Sequence, residues 1–300
     1  MKKWLARFLL ALIIVFLAVD AVLIGSPELR TRAYYALARS WRAHRHFAWG
    51  SRFMQGLGNV VQPTATIWCE PEPHVRMLLD PRDEVSRGIL ATGEWEPEVV
   101  QAIRRHLPSG GTLVDVGAHI GYHSLKAAIA AGPAGHVIAI EPNPGTLRVL
   151  RANIRASGAT TIRVEPVACS NAEGTLELFA AAEANTGESS LARDIASQAG
   201  KIVGVYRVPA RTLDAILKEA AVSRVDVIKI DVEGAEMLVL QGARETLARY
   251  RPALIVEVMD TQLRAMGTSS VAIREYLRAA GYSAGRNIDP FDVEFVPERR

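Results

Sequence analysis

The residues with chemical potential gather at the ends of three apolar runs. Asp115 closes TLVDV and is followed by Gly117, Ala118, His119 and Gly121; Glu141 closes VIAI; Asp231 closes VIKI, with Glu233 two residues on. A carboxylate at a strand end, then a glycine-spaced turn opening a helix, describes the floor of a nucleotide site in an α/β sheet. Glu141 lies 20 residues beyond Gly121, about where such a site places the acid that holds a ribose hydroxyl pair. A dinucleotide site uses G-x-G-x-x-G so that backbone can approach a pyrophosphate. Here His119 takes the middle-glycine position and Tyr122 the third, and Asp115 would repel phosphate and attract an ammonium group. A nucleoside that carries a cationic amino acid and no phosphate fits this turn, which points to S-adenosylmethionine. An oxidoreductase with a nicotinamide cofactor is the rival, and His119 counts against it.

Asp231, Glu233 and Glu236 form a dense acidic group on one strand-to-helix turn. Methylation of a hydroxyl by in-line displacement gains from a held near-attack geometry and from a general base within hydrogen-bond reach. Asp231 and Glu233 are the catalytic candidates, and Glu236, in the first helical turn, reads as a structural acid that complements the helix dipole. Lys229 alternates with Ile228 and Ile230 on a buried strand and calls for a partner, with Glu257 on the neighbouring strand as the expected one. His123 faces either the pocket or the packed interior. Asn185 and Ser190, in the polar AEANTGESS segment, are acceptor-side candidates, or turn residues that cap their own backbone. Backbone around Ala168 to Ser170 is expected to border the adenine, and Asn143 stands with Glu141 on the cofactor side. Nothing requires a metal: an ion between Asp231, Glu233 and Glu257 is not distinguished by spacing from metal-free use.

These residues need a scaffold of strands alternating with helices, which is the pattern from Thr112 onward and implies a mostly parallel sheet covered on both faces. TIRVEPVACS reads as the third strand, GTLELFAA as an edge hairpin strand, Ala235 to Tyr250 as one helix, and Asp292 to Val296 as a closing strand. With 300 residues, 49% hydrophobic and 22% charged, one good core plus an appendage is the economical count. The net charge of +3 is small and offers no case for nucleic acid. Cys69 and Cys169 lack metal-type spacing and read as packing residues.

The expected layout is an anchor over 1–25, a basic helical connector over 26–62, a cap of the catalytic domain over 63–108, and the catalytic domain over 109–300. After Lys2, Lys3 and Arg7, the run FLLALIIVFLAVDAVLIG is about 18 residues long, close to the ~20 that span a bilayer, and no A-x-A cleavage site follows it. Arg30, Arg32, Arg39, Arg42, Arg45 and Arg52 follow it against Glu28 alone, so the catalytic domain is expected on the cytoplasmic side. The stripe of Tyr34, Leu37, Ala38 and Trp41 beside those arginines reads as a solvated amphipathic connector.

From about Asp80 to Val258 the chain resembles the FkbM family of class I S-adenosylmethionine-dependent methyltransferases. The likeness is carried by GEWEPEV, VDVGAHIGYHS, IAIEPNP, LRANI, VACSNAEG, NTGESSL, RTLDAIL and VDVIKIDVEGAEMLVLQGA. It implies a Rossmann-like sheet of seven strands and methyl transfer to an oxygen, often on a sugar or natural product. His119 departs from the small polar residue, such as Asn, usual there. The implied acceptor is a small molecule, a glycan or a lipid-linked sugar. A membrane-anchored scaffold that keeps the fold without turnover is the alternative.

Overall fold

The computed structural model describes residues 26–42, 64–181, 189–198 and 202–298. Residues 1–25 and Asn185 lie outside these, so the anchor and that acceptor-side candidate have no structural counterpart here. Among the described residues no helix is long and apolar enough to cross a membrane. The chain divides into two compact units, Met1–Trp95 and Glu96–Arg300.

In the first unit, helix α1 (Pro27–Arg42) precedes a hairpin of β1 (Ile67–Glu72) and β2 (Val75–Leu79), then α2 (Glu84–Thr92). The stripe on α1 is buried, not solvated as its composition suggested: Thr31, Tyr34, Leu37 and Ala38 are all closed off from solvent. The helix is tied to the hairpin region, since Thr31 Oγ1 accepts from Ala65 N at 3.1 Å and Tyr35 Oη accepts from Glu70 N at 3.1 Å. Arg32 and Arg39 stay on the exposed face.

The second unit opens with α3 (Pro97–His106), whose first residue is a proline that has no N–H to leave unsatisfied. Then come β3 (Thr112–Val116), α4 (Tyr122–Ala131), β4 (His136–Ile140), α5 (Pro144–Ala156), β5 (Ile162–Glu165), β6 (Ala168–Cys169) and β7 (Gly174–Ala180). They are followed by α6 (Arg193–Gln198), β8 (Gly204–Arg211), α7 (Leu213–Glu219), β9 (Val227–Ile230), α8 (Glu236–Gln241), α9 (Arg244–Tyr250) and β10 (Ala253–Glu257). Last are α10 (Asp260–Ala265), α11 (Ser270–Ala279), β11 (Arg286–Asn287) and β12 (Asp292–Phe295). The main sheet has seven strands in the order β11-β12-β10-β9-β3-β4-β5. Pairs among β10, β9, β3, β4 and β5 are parallel, and β12 joins β10 antiparallel. This is the Rossmann-like, mostly parallel α/β architecture. Its strand order reverses direction between β9 and β3, which is where such sheets open a ligand crevice at their carboxyl ends.

Two expectations are corrected. TIRVEPVACS is not one strand: it stops at Glu165, because Pro166 cannot donate to a ladder, and Ala168–Cys169 joins a separate three-stranded sheet in the order β6-β8-β7. GTLELFAA therefore edges that sheet and not the main one. The segment Ala235 to Tyr250 is two helices, broken where Gly242 packs against the Ser170 carbonyl; a Cβ there would lie 2.1 Å from that oxygen.

Strand alternation decides what the site is made of. Val114, Val116, Ile228, Ile230, Leu254 and Val256 face one core layer. Leu113, Val227 and Ile255 face the other, packed against α3 and α4 through Val99, Ile103, Ala127 and Ala131. Side chains two residues apart on a strand share a face. Beyond its apolar layer, this second face therefore turns polar at its carboxyl end, with Asp115, Lys229, Asp231 and Glu257.

Candidate functional site

Gly117 follows β3 with φ +84, a backbone that side-chain-bearing residues rarely adopt. A Cβ there would stand 1.7 Å from the Asp231 carbonyl oxygen, so two strand ends touch through a glycine. His119 also has positive φ, at 49. Histidine and asparagine are both enriched in that region, so the exchange of one for the other costs this turn little. What the turn uses is the His119 backbone: its N–H donates to Glu141 Oε2 at 2.9 Å. Glu141 Oε1 accepts from Asn143 N at 2.8 Å. Asn143 in turn caps α5, its Oδ1 accepting from Gly145 N at 2.9 Å. Burial pushes the Glu141 carboxyl up to about 7 despite those two bonds, with help from the charges of Asp115 and Asp231. Ala118 lies buried beneath the turn with Leu147 and Leu150, and a Cβ on Gly121 would strike Leu150.

Asp115 is 1% exposed. Its Oδ2 accepts from Ser124 Oγ at 2.5 Å, while Oδ1 is buried without a partner. An orphaned carboxylate oxygen beside a glycine turn fits an ammonium group, and Glu141 fits a ribose diol. The residues present thus suit both polar ends of S-adenosylmethionine. Burial raises the Asp115 carboxyl, and Lys229 pulls it back.

Lys229 does not pair with Glu257 as expected. Its register neighbours are Ile255 and Asp115, and its Nζ donates to Asp231 Oδ2 at 2.8 Å. Glu257 lies two residues further along β10, past the lysine's reach. Lys229 is 2% exposed. Burial alone would discharge it, but Asp231, Asp115 and Glu96 more than offset that and raise its pKa. One buried cation thus serves the cofactor-side and acceptor-side carboxylates together.

The turn after β9 brings Asp231 and Glu233 side by side. Glu233 has φ 55, and Gln262 of α10 donates to its Oε2. Glu236, 1% exposed, closes the turn: its Oε1 accepts from Val232 N and Gly234 N at 3.1 and 3.0 Å. Ser190 Oγ donates to the Glu233 carbonyl at 2.7 Å and accepts from Ala192 N at 3.0 Å. That hydroxyl is spent inside the protein, so Ser190 holds the turn. Ser189 Oγ accepts from Asn143 Nδ2 at 3.0 Å.

His123 is buried, its Nε2 3.5 Å from Glu96 Oε2. Burial and the nearby Lys229 and Lys126 hold its pKa well below the usual histidine value, so the ring is neutral. Ala168 and Ser170 are taken up elsewhere: Ala168 packs with Leu178 and Val208, and Ser170 N donates to Arg211 O at 2.8 Å. The sequence reading missed Glu96, Gln262 and Asp292. Asp292 pairs in register with Glu257, and burial, with the charges of Glu96 and Asp231, lifts its carboxyl to about 8. Glu96 had a local signal in the proline that follows it; the other two had none.

The Methyltransferase FkbM domain family matches residues 115–284. The chain is 30% identical over 59% of its length to AMB antimetabolite synthetase AmbE of Pseudomonas aeruginosa, of which it spans 10%. It is 29% identical over 65% of its length to Methyltransferase sdnD of Sordaria araneosa, spanning 80% of it. It is 26% identical over 54% of its length to Hexuronic acid methyltransferase AglP of Haloferax volcanii, spanning 62% of it. With that match across more than half of the chain, and with a turn that suits a sulfonium nucleoside and not a dinucleotide, the protein belongs to the FkbM family of S-adenosylmethionine-dependent methyltransferases.

Proposed function

We propose that the enzyme O-methylates a sugar hydroxyl, free or carried on a glycan or lipid, at the cytoplasmic face of a membrane. The observation that carries this reading is the pair Asp231 and Glu233 at the crevice, one oriented by buried Lys229 and the other by Gln262. When bound, S-adenosylmethionine supplies an electrophilic methyl group. Asp231 and Glu233 then hold the acceptor hydroxyl in line and take its proton, work that a hydroxyl of high pKa requires. AglP, by its name a hexuronic acid methyltransferase, supports a sugar acceptor. The apolar run at residues 8–25 and the arginines after it support membrane attachment.

The test is transfer of a radiolabelled methyl group from the donor to lipid-linked and free sugars by the full-length protein. Asp231→Asn is expected to lower transfer by about 10²-fold or more, with S-adenosylhomocysteine affinity kept. Unchanged turnover overturns the assignment. Recovery of the full-length chain in the soluble fraction of cells overturns the attachment.

A further inference from the structure

We propose that Asp231, Glu233 and Glu257 form a site for one divalent cation of the magnesium, manganese or calcium type. Each offers one carboxylate oxygen, and these oxygens lie within 4.8 Å of one another. They come from two adjacent strand ends, the close of β9 with its turn and the close of β10, so the backbone and not a flexible loop brings them together.

Three negative charges at that spacing repel strongly unless a cation stands among them. Lys229 contributes one positive charge through Asp231. Two negative charges remain, which a divalent ion neutralises.

A second observation is independent of the cluster's composition. Glu257 Oε2 is shut off from solvent and accepts no hydrogen bond, and the same holds for Oε2 of Glu236, on the same turn as Glu233. A buried acceptor left unpaired costs about 1–3 kcal/mol. Metal coordination is the interaction that removes that cost for Glu257. Its two companions are also oriented as metal-ligating carboxylates are, each with one oxygen held by a neighbour: Asp231 by Lys229, Glu233 by Gln262. An all-oxygen donor set selects hard cations over zinc or copper.

A cation here would draw in the acceptor oxygen and make its proton easier to lose. That use rests on the proposed O-methylation; the binding itself does not.

The test is titration of EDTA-treated full-length protein with Mn²⁺, following the free-ion electron paramagnetic resonance signal. One saturable site is expected, competed by Mg²⁺ and Ca²⁺. Glu257→Gln is expected to weaken it by at least about tenfold, with S-adenosylhomocysteine affinity and circular dichroism unchanged. Should that variant not fold, Glu233→Gln serves in its place with the same expectation. No saturation below ~1 mM, or wild-type Mn²⁺ affinity in the folded variant, overturns the proposal. An ammonium group of the acceptor as the true occupant would give the first of these results. Absent Mn²⁺ binding with transfer still lost in Asp231→Asn defeats the cation alone. Mn²⁺ binding with transfer intact in Asp231→Asn defeats the O-methylation reading alone.

Discussion

Replacing Glu141 by Gln tests whether the ribose acid is held at the expense of stability. In the folded chain the Glu141 carboxyl rises from 4.5 to about 7, chiefly through burial. A raised carboxyl stabilises the fold below its unfolded value, and that stability is lost as pH climbs through the folded value. At 1.36 kcal/mol per unit, the loss between about pH 4.5 and 7 is about 3 kcal/mol. Glutamine does not titrate, but it keeps one acceptor where Glu141 offers two, to His119 N and Asn143 N. The lost bond costs about 1–2 kcal/mol. The variant should therefore be less stable than wild type near pH 5 and more stable near pH 8. Since about 2–4 °C of Tm accompanies each kcal/mol in a domain this size, the gap in Tm should swing by about 6–12 °C. Calorimetric melting of both proteins at the two pH values measures it. Titration with S-adenosylhomocysteine at pH 8 should show affinity about tenfold or more weaker, since a charged acceptor to the ribose is gone. A gap in Tm that does not move with pH, or undiminished affinity, refutes the reasoning.

Gly117→Ala should fail to accumulate as folded protein or lose more than about 3 kcal/mol, because the added carbon meets the Asp231 carbonyl at a left-handed position; a denaturant midpoint near wild type would contradict this. Glu294 is buried on β12 and bonded by Arg105 at 2.8 Å, His106 at 3.0 Å and Arg286 at 2.5 Å, and these partners hold its carboxyl down to about 2. A depressed acid stabilises above its unfolded value and loses that contribution as pH falls toward its folded one. Glu294→Gln should therefore cost about 1–2 kcal/mol at pH 7 after allowance for its solvent-exposed arginine partners, with the difference from wild type fading toward pH 2 in urea titrations. Asn143→Ala removes the α5 cap and should cost about 1 kcal/mol in the same assay.

The parts of the fold that were legible in the sequence are those where local pattern and burial agree. β3, β4 and β9 are short apolar runs ended by an acid, and each lies where that pattern puts it. Their acids converge because β9 and β4 flank β3, which the alternation of strands and helices implied. The three-stranded sheet was not legible, since TIRVEPVACS is apolar enough to read through Pro166 and no local cue says where its second half pairs. Nor was the break at Gly242, whose cause is a carbonyl more than 70 residues earlier in the chain. Lys229 had two acids on its own face, Asp231 and Glu257, and strand alternation alone does not rank them; the nearer one on the same strand holds it. Gln262 and Asp292 reach the site from α10 and β12, long after the motifs that announce it.

The ties made by Ser189 and Ser190 bear on how such an enzyme can diversify. Segment 182–188 runs between Ala181, where the second sheet ends, and two serines fastened to Asn143 on the donor side and to the Glu233 carbonyl on the other. Its two ends are thus pinned independently of what lies between them. Descendants of one ancestor can exchange or lengthen that segment while the methyl donor's cradle keeps its shape, so new acceptors become reachable by changing a few residues in one stretch of the gene.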